Sequence, residues 1–197
     1  IEAVFRDFQC YNIHGIENGL TMIGGPWNII NGVAGIINII TITGWLGIFI
    51  SKKKSKDMIW PDLQWFWIIA YGLWNFSYIY NCISDRSLYT GLILILASTI
   101  PTFFIKKGAW LQHRAQTLAL YAMFVLTFPN FADTSRYAVK SSNNPTALLT
   151  VSLLSLAMNV GVLVYHIYRI KTNNLNPLKD EVYTDLKGYK EVVNENK

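Results

Sequence analysis

Charge is what this sequence has least of. Asp, Glu, Lys and Arg make up 15% of its 197 residues, against about 25% in soluble domains. From Gly24 to Ile50 there is no charged residue at all. Cysteine is scarce too: Cys10 and Cys82 have no CxxC spacing, so neither a zinc site nor a disulfide framework is indicated. No HExxH, phosphate-binding loop or nucleophile–base spacing appears, so nothing supports enzymatic chemistry and no metal or cofactor is expected. No basic region with a cleavage site precedes the first apolar run, so no signal peptide is read. The chain starts at Ile1 instead of Met, which is the expectation for a portion of a longer protein. A net charge of +5 could suggest nucleic acid, but the lysines sit in short clusters between apolar runs, not along one face.

What is present is hydrophobic: 52% of residues, with a mean hydropathy of +0.26. A helix crossing a bilayer needs about 20 mainly apolar residues. Five segments qualify, at 28–50, 64–82, 88–105, 109–131 and 146–168. The predicted fold class is all-α, a polytopic transmembrane helical bundle with about five spanning helices. Residues 1–27 read as the end of a truncated helix, with Glu2 and Arg6 paired at i,i+4, and an outer loop. Residues 28–168 form the membrane domain and 169–197 a cytoplasmic tail. Pro101 and Pro129 fall inside the third and fourth spans. In the tail, Asn176-Pro177 predicts a helix start. Leu178, Val182, Leu186, Tyr189 and Val193 then recur at helical spacing, as in an amphipathic helix on the inner leaflet. A frayed polar tail is the alternative.

Orientation follows from Lys and Arg in alternate loops. The 51–63 loop, the 106–114 junction and the tail carry 13 of the 17 basic residues. Arg6, Arg86, Arg136 and Lys140 occupy the other side. The positive-inside rule puts the first set, and the C-terminus, in the cytoplasm. Trp60, Trp65 and Trp110 then fall at cytoplasmic ends and Trp27 at an outer end, as an interfacial belt requires. Glu2, Asp7, Glu17, Asp85 and Asp133 lie scattered on the outer side. So do Cys10 and Cys82, where either a disulfide or two free thiols is compatible with the sequence.

Each span places hydrogen-bonding side chains near its midpoint: Asn38; Trp74 and Asn75; Ser98 and Thr99; Tyr121; Ser155 and Asn159. Asn31, Gly35 and Asn38 share one helical face, and Gly32 and Gly35 allow another helix to approach closely. Trp67, Tyr71, Trp74 or Asn75, Tyr78 and Asn81 run down one side of the second span. Ser152, Ser155, Asn159 and His166 do so on the fifth.

Four stretches carry a resemblance: GGPWNIINGVAGIINIITITGWLGIFISK, KDMIWPDLQWFWIIAY, FFIKKGAWLQHRAQTLAL and NPLKDEVYTDLKGY. Together they resemble the domain-of-unknown-function family 5692, a group of bacterial multi-pass membrane proteins. The resemblance implies a place in the bacterial cytoplasmic membrane and a chain that is the C-terminal portion of a longer one, partnered by missing N-terminal helices. It brings no activity and no catalytic residues.

Three readings of function follow from the residues. In the first, the midplane layer binds or transports a small neutral polar solute through Asn31, Asn38, Trp67, Tyr71, Trp74, Asn75, Tyr78, Tyr121, Ser155 and Asn159. His113 and Arg114 would meet an anionic group, although Arg114 reaching lipid phosphates is the simpler account. In the second, the layer only packs helices in a structural or accessory subunit. In the third, His113, Arg114 and His166 serve a lipid-modifying enzyme at the cytoplasmic face. Beyond the bilayer and a solute, no partner, and no nucleic acid, is expected.

Overall fold

The computed structural model describes residues 1–17 and 19–197. The chain is mostly helical. α1 (Glu2–Cys10) leads into an antiparallel hairpin, β1 (His14–Glu17) and β2 (Leu20–Ile23), with His14 opposite Ile23 and Glu17 opposite Leu20. α2 (Pro26–Ile40) follows, then a 3₁₀ turn and the two-residue strands β3 (Phe49–Ile50) and β4 (Met58–Ile59). α3 (Trp65–Cys82), a π-helical segment at Ser87–Ile93, α4 (Leu94–Phe104), α5 (Trp110–Thr127), α6 (Pro145–Asn173) and α7 (Lys187–Asn196) complete it. α6 packs into the crevice between α2 and α3, α1 lies across both, and α4 and α5 form a helical hairpin on the far side of α3.

Two helical stretches are long and apolar enough to cross a membrane, Ser84–Phe104 and Pro145–Asn173. Only 28% of the apolar window of each is buried within the chain, whereas a soluble core helix would be mostly covered. α6 runs to Asn173, five residues beyond the end predicted for the last segment, and α5 stops at Thr127, so Pro129 follows the helix instead of kinking it.

The first predicted span, 28–50, is corrected most. α2 has 15 residues, about 22 Å at 1.5 Å per residue, and ends ten residues early. The cause is a polar clasp. Thr41 bonds the carbonyls of Ile37 and Asn38 through its hydroxyl. Gly44 then turns the chain with φ +69°, and a Cβ there would lie 2.2 Å from Asp62 Cβ. Thr43 donates to Asp62 Oδ2 at 2.9 Å. The apolar residues beyond fold back, with Ile42 and Ile48 packed on the Trp60, Leu63 and Trp67 cluster.

The loops sort to two ends. At one, Lys106 meets Asp57, Lys107 meets Glu191 at 2.7 Å, and Ser51 bonds Asn196. At the other, Arg86 clamps Asp133, Ser84 bonds the Thr21 carbonyl and Lys140 approaches Asp85. The lysine-rich loops therefore share an end, as predicted. The tryptophan belt does not hold: Trp27, Trp60 and Trp110 are buried, Trp60 donating to the Thr43 carbonyl, and only Trp65 of the four is exposed. Nor does the Glu2–Arg6 pair; Arg6 bridges to Glu17 at 2.7 Å.

Candidate functional site

The asparagines form a seam. Asn38 Nδ2 donates to Asn159 Oδ1 at 2.9 Å. Asn159 Nδ2 donates to the carbonyls of Ser155 and Ala70 at 2.9 and 3.2 Å. Ser155 donates to Asn31 Oδ1 at 2.9 Å, and Asn31 Nδ2 to Asp7 Oδ2 at 2.7 Å and the Trp74 carbonyl at 3.3 Å. α1, α2, α3 and α6 are thereby joined by side chains that are almost wholly buried. Toward the end where Arg86 meets Asp133, Ser77, Asn81 and Ser152 form a second cluster at 3.0–3.3 Å. Asn28 accepts from the Gly25 amide and donates to Cys82 Sγ at 3.6 Å. Such pairing is what a buried amide requires, because an unpaired one costs several kcal/mol in hydrocarbon.

The helices reach this proximity through small residues. A Cβ on Gly35 would lie 2.5 Å from both Trp74 Nε1 and Val4 Cγ2, and one on Gly32 would meet the Phe8 ring. The approaching helix is α1, a segment the sequence placed outside the bundle. Asp7, expected among the scattered outer acids, is fully buried at one end of the seam, bonded to Asn31 and Cys82. Val4, Asp7 and Cys10 are the buried residues of α1, a spacing of three that was the available signal.

Other predicted members lie elsewhere. Tyr121 shares a hydrogen bond of 2.8 Å with Thr90, away from the seam. Asn75 accepts from Arg114 Nη2 at 3.3 Å, while its neighbour Trp74 covers Gly35, so the two do not make one wall. Trp67 stacks on Tyr71, and Trp74 on Tyr78; Trp110 meets Trp67 and Tyr71 edge-on. Along this stripe, Trp67 Nε1, Trp74 Nε1 and Arg114 Nε and Nη1 are buried without an acceptor among the described residues. His113 bonds Thr102 on α4 at 2.8 Å, and His166 bonds Tyr183 of the tail at 2.9 Å. The two histidines and Arg114 thus serve different contacts and form no common centre.

Asp62 organises the opposite end. Its carboxylate accepts from the amides of Tyr183 (2.8 Å) and Val182 (3.0 Å) as well as from Thr43. Burial raises its pKa against the lowering effect of those bonds. Burial, aided by the nearby Asp62 charge, raises Tyr183. The tail is therefore docked protein. Its helix starts at Lys187, not Pro177, and Val192 packs on Ile59 and Ala109; this is neither a leaflet-bound helix from 177 nor a frayed end. Nearby, a cleft of about 290 Å³ opens beside Gln64, Trp65, Thr102, Lys107 and Glu191, well apart from the seam.

Fold and site together define a mostly helical bundle with a buried polar seam beside its apolar clusters and many large apolar side chains exposed. The chain belongs to the family of unknown function DUF5692, whose profile matches residues 1–195. That match covers nearly the whole chain and lends no support to reading it as a C-terminal portion. No curated protein and no solved structure matches it.

Proposed function

We propose that this chain is a multi-pass integral membrane protein of the bacterial cytoplasmic membrane, with five spans and a cytoplasmic C-terminus, and that its asparagine seam fastens the helices. One observation carries the reading: burial is inverted relative to a soluble protein. Asn28, Asn31, Ser77, Ser98, Ser152, Ser155 and Asn159 are fully buried, while Phe104, Leu126 and Val164 are 82%, 81% and 62% exposed. A contiguous apolar exterior is stable only against another apolar phase. The short α2 fits a span whose crossing is completed by the folded-back turn over Asp62. The gathering of 13 basic residues at one end supports the orientation. Both hydrogen-bonding atoms of the Asn31 and Asn159 amides have protein partners, which favours packing over solute binding for that pair.

The test is topological. The chain should stay in the membrane fraction after alkaline extraction. In intact cells, an impermeant maleimide should label Lys140→Cys and spare Lys54→Cys. Labelling at 54 with protection at 140 overturns the orientation, and release by alkali overturns the membrane assignment.

A second reading has its own observation. The unpaired donors on Trp67, Trp74 and Arg114 favour a solute or lipid group with acceptor atoms meeting the aromatic stripe. Saturable binding that is lost in Arg114→Gln but kept in Asn38→Leu would select it.

A further inference from the structure

Outside the seam's packing, one cluster has chemistry that helix fastening does not use. α1 and α3 bring two cysteines together under β2. Cys10, Met22 and Cys82 pack as one buried group, with Cys10 fully covered and Cys82 3% exposed. Both thiols are free and lie in one packed cluster. Cys82 Sγ also donates to Asp7 Oδ1 at 3.5 Å and accepts from Asn28 Nδ2 at 3.6 Å. Asp7 is itself fixed by Asn31 at 2.7 Å. A thiol, a second thiol and an oriented carboxylate acceptor therefore stand in contact, at the end of the bundle where the basic residues are few.

We propose that Cys10, Cys82 and Asp7 form a dithiol that a hydroperoxide of about water size oxidises to a disulfide linking α1 to α3. The parts have distinct roles. Cys10 attacks: the neighbouring Cys82 thiol, and Arg6 one turn away on α1, favour its thiolate against the opposing effect of burial. The Cys10 sulfur displaces hydroxide from the peroxide O–O bond and becomes a sulfenic acid. The hydroxide takes the proton that Cys10 gave up and leaves as water. Cys82 sulfur then attacks the sulfenic sulfur, its own proton passing to Asp7. The S–O bond breaks, and the departing hydroxide takes that proton from Asp7 as a second water. Two thiols lose two electrons and one peroxide gains them. With Cys10 fully covered and Cys82 3% exposed, only an oxidant small enough to enter when the packing around the pair opens can reach the sulfurs.

The experiment uses the full chain in detergent, treated with hydrogen peroxide and measured by intact mass after denaturation. The expected product has lost two hydrogens, has no alkylatable thiol, and remains a monomer on a non-reducing gel. In Cys82→Ser, dimedone should trap a sulfenic acid at Cys10; in Cys10→Ser, Cys82 should stay a thiol under the same exposure. Two free thiols in the native chain, or oxidation to sulfinic acid without a cross-link, overturns the proposal. Preferential trapping at Cys82 overturns the role given to Cys10. The native-chain mass decides the matter even where a variant folds poorly.

Discussion

The seam between α2, α3 and α6 and the stripe between α3 and α5 contain similar residues and treat them oppositely. In the seam, asparagine and serine amides and hydroxyls meet partners from other helices, and those helices lie close. On the α5 side, the aromatic rings pack well, but Trp67 and Arg114 keep buried donors without acceptors among the described residues, as Trp74 does where it covers Gly35 of α2. α5 itself buries only Trp110 of its 18 residues. The difference teaches that polar residues alone do not mark a binding layer. What matters is whether geometry consumes their hydrogen bonds. α6 has serine at its contact with α2, and the glycines of α2 let α1 and α3 close in, so the amides reach across. α3 and α5 are separated by bulky rings, and among the described residues the side-chain hydrogen bond crossing between them is the long one from Arg114 to Asn75.

Breaking the seam at its hub should cost most. Asn31→Leu removes partners from Asp7, Ser155 and the Trp74 carbonyl at once, and leaves a carboxylate buried. A loss of about 3 kcal/mol is expected, from the cost of stranding a buried polar or charged group, read as a large drop in Tm in detergent. An unchanged Tm would remove the distinction between the two regions.

Next comes the clasp that ends α2. Asp62→Ala strips the acceptor from Thr43, Val182 and Tyr183, at about 2 kcal/mol. The expected readout is rapid proteolysis within the 175–197 tail of an otherwise folded chain. Asn38→Leu, which removes one seam bond, should cost about 1 kcal/mol. A double-mutant cycle with Asn159→Leu should give coupling of similar size, since the two amides bond each other directly.

The smallest effect sharpens the comparison from the other side. Arg114→Met should change stability by roughly 0.5 kcal/mol or less, in either direction, read as a small Tm shift. One long hydrogen bond is lost, but so is a charge without a described counter-ion. A loss as large as that from Asn31→Leu would mean that the stripe is as structural as the seam.

Much of this was legible in the sequence, for reasons that are local. Helix period alone placed Asn31 and Asn38 on one face and Ser152, Ser155 and Asn159 on another, and α3 begins within a residue of its predicted start. The low charge and its confinement to loops marked an apolar exterior, because such composition is a property of chain segments and not of their arrangement. Three things were decided only in tertiary structure. Asp7 looked like a surface acid because one carboxylate in a short charged segment gives no hint of a distant Asn31. The first span looked ten residues too long because Ile42–Ile50 is as apolar as α2; only Asp62, at Gly44 and Thr43, turns the chain there. Asn75 and Tyr121 sat at the right depth for the layer but faced other helices. Depth follows from position along a helix, which sequence contains. Direction relative to other helices depends on which faces meet, and that is set by packing between residues far apart in the chain.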